Sequence, residues 1–194
     1  GYWSRQYAYD KASIISHAQA FTEGMKAAKV LTTAKHFPGL GAVTGNTDIS
    51  AGVRDDQTNS NSESVQIFKD LISSGTPSIM TATAIYDKID PNLPGAFSSK
   101  MVDGLLRKQL GFDGLVITDD LSNAVQVQSW TPGQRAVLAL SAGNDLVLAN
   151  EPTQIPEMIS EVLQKVKADP DFAKKISQSA TRVIKVKEEM KLVE

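Results

Sequence analysis

Apolar residues Ile14, Ala18, Phe21, Met25 and Ala28 recur at helical spacing, which predicts an amphipathic helix from Asp10, its N-cap, to Lys29. A short β-prone run, Val30 to Ala34, follows and closes at Lys35-His36-Phe37-Pro38-Gly39, read as strand end and loop. The same unit then recurs. Helix Ser64 to Ser74 ends at Gly75 and leads to strand Ser78 to Thr83, then helix Ser98 to Leu110 ends at Gly111 and leads to strand Leu115 to Thr118. A further helix takes Thr131 as N-cap, has Pro132 in its first turn and Gly143 past its end, and precedes strand Asp145 to Ala149. Helices from Thr153 to Lys167 and from Pro170 to Lys191 close the pattern, and the polar run Gln57 to Glu63 reads as a mobile loop.

Strands that are apolar without alternation, separated by helices, argue for a parallel sheet covered by helices, the α/β class. Four strands are visible. A complete (β/α)8 barrel of the TIM type takes about 250 residues. The 194 residues therefore hold about half of such a barrel or a small open α/β sheet, and the pattern leaves both open. In either case residues 1–194 read as a single, partial domain, because the opening Gly-Tyr-Trp-Ser-Arg resembles the middle of a sequence.

Composition narrows the function classes. At 41% hydrophobic and 22% charged residues the chain can bury a core, which excludes disorder. A net charge of -2 with no block of Lys or Arg offers no footprint for nucleic acid or an anionic membrane. No apolar run approaches the ~18 residues that span a bilayer, so no membrane insertion is expected. With no cysteine, disulfides, thiolate metal sites and cysteine nucleophiles are excluded. A neutral or sugar-like ligand fits best.

In both α/β architectures ligands bind at the carboxyl ends of strands. Three strand ends carry polar groups there: Lys35-His36, Thr81 to Thr83, and Asp119-Asp120. Neighbours in a strand point to opposite faces, so one of Asp119 and Asp120 can face a pocket while the other braces the loop. A Mg²⁺ site on the paired carboxylates is a competing reading. The glycine-rich stretch Gly39 to Gly45 is not a nucleotide loop, having neither GxGxxG spacing nor a GK[ST] sequence. His17, in mid-helix, reads as a surface residue.

Two long motifs carry a resemblance. Lys35-His36-Phe37-Pro38-Gly39-Leu40-Gly41 with Asn46-Thr47-Asp48, and Gly111-Phe112-Asp113-Gly114-Leu115-Val116-Ile117-Thr118-Asp119-Asp120-Leu121-Ser122, closely resemble glycoside hydrolase family 3, in particular its β-N-acetylglucosaminidase branch. The resemblance implies the C-terminal half of a TIM-type barrel. It implies a retaining glycosidase that releases terminal β-linked N-acetylglucosamine from cell-wall or related glycans, without metal or organic cofactor. Asp119 stands in the nucleophile's place, and Lys35 and His36 stand where the family holds sugar hydroxyls. Arg5, 30 residues before Lys35, matches a substrate-binding arginine. A retaining enzyme needs a carboxylate beneath the anomeric carbon, which agrees with the strand-end reading.

The chain also departs from the family's pattern. Where this branch usually carries Asp-x-His, with the histidine as acid/base, the matching positions are Asp48, Ile49 and Ser50. The loop is about two residues longer, and Leu40 stands where a histidine is common. Asp48, the loop's retained carboxylate, or a group that it positions, is the expected acid/base. Gly-Leu-Gly and Asn-Thr-Asp loops resemble those of members from Gram-positive actinobacteria, which implies a secreted or cell-envelope protein. The family's first strands have no counterpart before Gly1, so the chain alone is expected to be inactive and to pair with the missing half of the barrel or with itself. The alternatives are a non-catalytic sugar-binding relative, or a β-glucosidase or β-xylosidase of the same fold.

Overall fold

The structure, a computed structural model, describes residues 6–193. In chain order the elements are α1 (Lys11–Ala27), β1 (Thr33–Phe37), β2 (Arg54–Asp55), α2 (Glu63–Ser73), β3 (Ser78–Thr81), β4 (Ile85–Tyr86) and β5 (Asp90–Pro94). A π-helix (Lys100–Gln109), β6 (Leu115–Asp120), α3 (Pro132–Ala142), β7 (Leu146–Leu148), α4 (Ile155–Ala168) and α5 (Pro170–Glu189) follow. The four long-range strands form one parallel sheet in the order β1-β3-β6-β7, with helices between them, which is the expected α/β architecture.

One face of this sheet is packed under helices. Ile79 of β3 and Val116 of β6 are fully buried there with Val65 and Phe68 of α2 and Val102 and Leu106 of the π-helix. Phe37 closes this core edge-on to Phe68, with ring centroids 5.2 Å apart. A second core joins Leu121 and Val127, beyond β6, to Ala136 and Ala139 of α3 and Met158 of α4. Each large apolar side chain so buried contributes roughly 1.5–3 kcal/mol. The opposite face carries the register row Lys35, Met80, Ile117 and Leu146. None of these four is buried.

The structure moves several predicted boundaries. The strand expected at Val30 to Ala34 begins instead at Thr33. Lys29 adopts a left-handed conformation at φ 59°, and the Val30 N–H bonds back to the Met25 carbonyl at 3.0 Å. That is a Schellman turn built on lysine, so it lacks the glycine signal that marks such endings. The helix expected from Ser98 is a π-helix, with Gly104 N–H bonding to Ser99 O and Leu110 N–H to Leu105 O. Strand β3 stops at Thr81 rather than Thr83, whereas β6 runs on through Asp119 and Asp120. The Gln57 to Glu63 segment is a bonded turn: the buried Asp55 carboxylate accepts from the amides of Gln57 and Thr58 and from the Thr58 hydroxyl. Glu63 already belongs to α2.

A second small sheet, β2-β4-β5, was not expected. It joins the loop after β1 to the loop after β3, and Arg54 ties it together through Asp87 at 3.2 Å and the Pro91 carbonyl at 2.8 Å. Both loops leave the carboxyl end of the main sheet, so the small sheet braces that end.

Candidate active site

Strands β1, β3 and β6 run parallel, so their carboxyl ends lie side by side. Lys35 registers with Met80 and Phe37 with Thr81, which leaves His36 as the extra residue of a bulge in β1. The Lys35–His36 and Phe37–Pro38 peptide bonds are cis. The loop beyond is anchored by the buried Tyr86, whose hydroxyl donates to the Gly39 carbonyl at 2.7 Å. Burial and the nearby Asp55 push the Tyr86 hydroxyl's pKa far up, so it remains a donor at any working pH.

His36 and Asp119 meet across β3. The His36 Nε2 lies 3.5 Å from the Asp119 Oδ2, with the side chains 12% and 21% exposed. The pair is thus shielded yet open to a ligand. Lys35 is exposed on the same sheet end, in the row of Met80 and Ile117, two residues before Asp119. Arg5, the remaining predicted substrate residue, lies outside the described residues.

Asp120 turns the other way. Its Oδ1 accepts from the Ser122 amide (3.0 Å), the Ser122 hydroxyl (2.6 Å) and the Asn150 amide (3.1 Å), and its Oδ2 from the Asn123 amide (2.9 Å). Burial alone would raise its pKa. The hydrogen bonds from Ser122, Asn123 and Asn150 outweigh that and hold the carboxyl below the ordinary range. Both oxygens being taken, Asp119 and Asp120 do not present two free carboxylates to one cation. Among the described residues no group of three or more His, Asp or Glu side chains is placed to hold a metal ion.

The turn after β6 rests on a buried arginine. The Arg135 guanidinium donates to the carbonyls of Leu121, Ser122 (2.9 Å) and Trp130 (3.0 Å). Burial lowers its pKa, opposed by Glu157 and Asp120.

Asp48 sits exposed in a turn where the Asn46 side chain accepts from its amide at 2.9 Å. Its carbonyl accepts from the Val125 amide at 3.2 Å, which brings the Asp48 loop against the segment that follows Asp119 and Asp120. Sequence reasoning missed Gln126, which joins these two loops, and Arg135, which holds the turn after β6. The only available signal was a polar residue inside the apolar run Ala124 to Val127, and a single glutamine there carries little information.

The model of the glycosyl hydrolase family 3 N-terminal domain matches residues 2–186. A β-hexosaminidase of Methylobacillus flagellatus is 34% identical over 166 residues, covering 84% of this chain and 47% of that protein. Another from Shewanella frigidimarina is 38% identical over 148 residues, covering 74% and 43%. Among solved structures, the β-N-acetylhexosaminidase of Beutenbergia cavernae superposes with a TM-score of 0.94 at 49% identity, over 96% of this chain and 56% of that one. A family 3 β-N-acetylglucosaminidase from a Paenibacillus species gives 0.89 at 26% identity, over 96% and 36%. The chain spans about half the length of the curated relatives it matches.

Proposed function

The chain belongs to glycoside hydrolase family 3, and from that premise we propose that it supplies the nucleophile's half of a retaining β-N-acetylglucosaminidase acting on cell-wall or related glycans. In this reading Asp119 attacks the anomeric carbon and forms a covalent glycosyl ester while the leaving oxygen takes a proton from Asp48. Asp48, now a base, then takes a proton from water, which attacks the same carbon and releases the sugar with its configuration retained. Lys35, His36 and Arg5 hold the sugar hydroxyls.

The observation that carries the reading is the approach of His36 to Asp119, 3.5 Å apart at the carboxyl ends of strands separated by one other. A histidine so placed orients the carboxylate and offers a donor to a hydroxyl on the same sugar. The similarity to named β-hexosaminidases favours the acetamido sugar over glucose or xylose. The open row Met80, Ile117 and Leu146, together with the free edges of β1 and β7 among the described residues, supports closure of the sheet by further strands. Turnover then requires those strands.

The test is hydrolysis of nitrophenyl N-acetylglucosaminide, glucoside and xyloside by the whole protein. The acetamido substrate should be preferred. Asp119→Ala should lower kcat by roughly 10⁴-fold or more, the scale seen when a nucleophile is removed. Asp48→Asn should lower it roughly 10²-fold or more, as the loss of a general acid does. Sugar binding with no turnover in the wild type would instead identify a non-catalytic relative, the reading that the Ile49 and Ser50 departures favour.

A further inference from the structure

The segment after the proposed nucleophile holds the loop of the proposed acid/base through four hydrogen bonds. The Val125 amide donates to the Asp48 carbonyl at 3.2 Å, and the Gln126 amide to the Thr47 carbonyl at 3.1 Å. The Gln126 side chain makes the other two. Its Oε1 accepts from the Val53 amide at 2.9 Å, and its Nε2 donates to the Val53 carbonyl at 3.0 Å. A carboxamide thus pairs with both backbone groups of one residue, as a neighbouring strand would.

The bonds fall at the two ends of the loop. Thr47 and Val53 are buried, at 6% and 4% exposure, and Gln126 is 5% exposed. Between them Asp48, Ile49, Ala51 and Gly52 face solvent. The Val53 carbonyl also accepts from the Ile85 amide of β4 at 3.1 Å, but the Val53 amide is held by the Gln126 side chain, which arises from the turn that Asp120 and Arg135 hold in place. We propose that Gln126 is a positioning residue, which sets the distance between Asp48 and Asp119 by holding both ends of the Asp48 loop against the nucleophile's own turn. This inference rests on the assignment of Asp48 as acid/base. Retaining glycosidases need their two carboxyl groups about 5–5.5 Å apart, so a loop that drifts loses acid catalysis first.

Gln126→Met keeps the volume and removes both side-chain hydrogen bonds. The whole protein, wild type and variant, is assayed on phenyl and on 2,4-dinitrophenyl N-acetylglucosaminide. Phenolate needs a proton to leave and dinitrophenolate does not. The variant should lose roughly 10- to 100-fold in kcat/KM on the phenyl glycoside, part of a general acid's contribution, and less than about threefold in kcat/KM on the dinitrophenyl one, since kcat/KM reports the first step alone. Hydrogen exchange should show the Val53 amide losing protection while Val116 and Leu121 keep theirs, which establishes that the variant is folded. An equal fall on both substrates, or no fall on either, overturns the positioning role. A wild type that releases neither phenol overturns the glycosidase reading beneath it, so the two failures are told apart.

Discussion

Asp119 and Asp120 are neighbours with opposite surroundings: one carboxylate faces His36, and the other is taken up by amides of its own turn and of Asn150. The alternation of a strand makes this division legible in the sequence, but not the direction in which each residue faces. Asp120→Asn replaces a charged acceptor with an amide whose NH₂ confronts donors, and should cost about 2–3 kcal/mol, read as a lower denaturant midpoint. The effect should depend on pH. The folded pKa of Asp120 lies below its unfolded value, so its stabilisation is complete above that unfolded value of about 3.9 and is lost as pH falls through the folded one. The asparagine variant should lack that acid-side loss. An unchanged acid limb in Asp120→Asn would assign the loss to other carboxylates.

At the scale of elements, the sheet and its helices are joined at the other end by one carboxylate. The Asp145 side chain is fully buried and bonds to Arg107 of the π-helix, to Arg182 of α5 at 3.0 Å and to the Val116 amide of β6 at 2.9 Å. Burial lowers the Arg107 pKa and Asp145 opposes that, so removing Asp145 leaves a cation desolvated without its partner. Asp145→Asn should destabilise the fold by about 3–5 kcal/mol, and Arg182→Met by less, because the Arg182 side chain is 35% exposed and partly screened. Thermal or urea unfolding of both variants checks the order. Helices were legible where caps carried it, as with Thr131, Pro132 and Gly143, whose φ of 111° ends α3. They were less so where Lys29 took glycine's conformation, or where Met101, Val102, Leu105 and Leu106 produced the same apolar face in a π-helix as in an α-helix.

Taken as a whole, the molecule is a four-stranded parallel sheet of the TIM-barrel type with one face sealed and one open. The strand–helix rhythm made that class legible, because parallel strands buried under helices are apolar throughout. The small sheet was not, since β2 and β4 have two residues each and owe their pairing to loops brought together by the fold. Ile155, Ile159 and Leu163 of α4 are 38%, 53% and 53% exposed, a separate apolar stripe on the helical layer besides the open sheet face. The 194-residue chain by itself should therefore associate at micromolar concentration and turn over little substrate, which light scattering and a parallel assay would measure. A monodisperse, fully active monomer would contradict this. The central claim is that Asp119 is the carboxylate that bonds to the sugar. Its most direct test is to trap the whole protein with a fluorinated N-acetylglucosaminide whose ester hydrolyses slowly, and to locate the adduct by peptide mass spectrometry. The account predicts one sugar attached to Asp119. A sugar on another residue, or turnover of the probe with inverted configuration and no adduct, would contradict it.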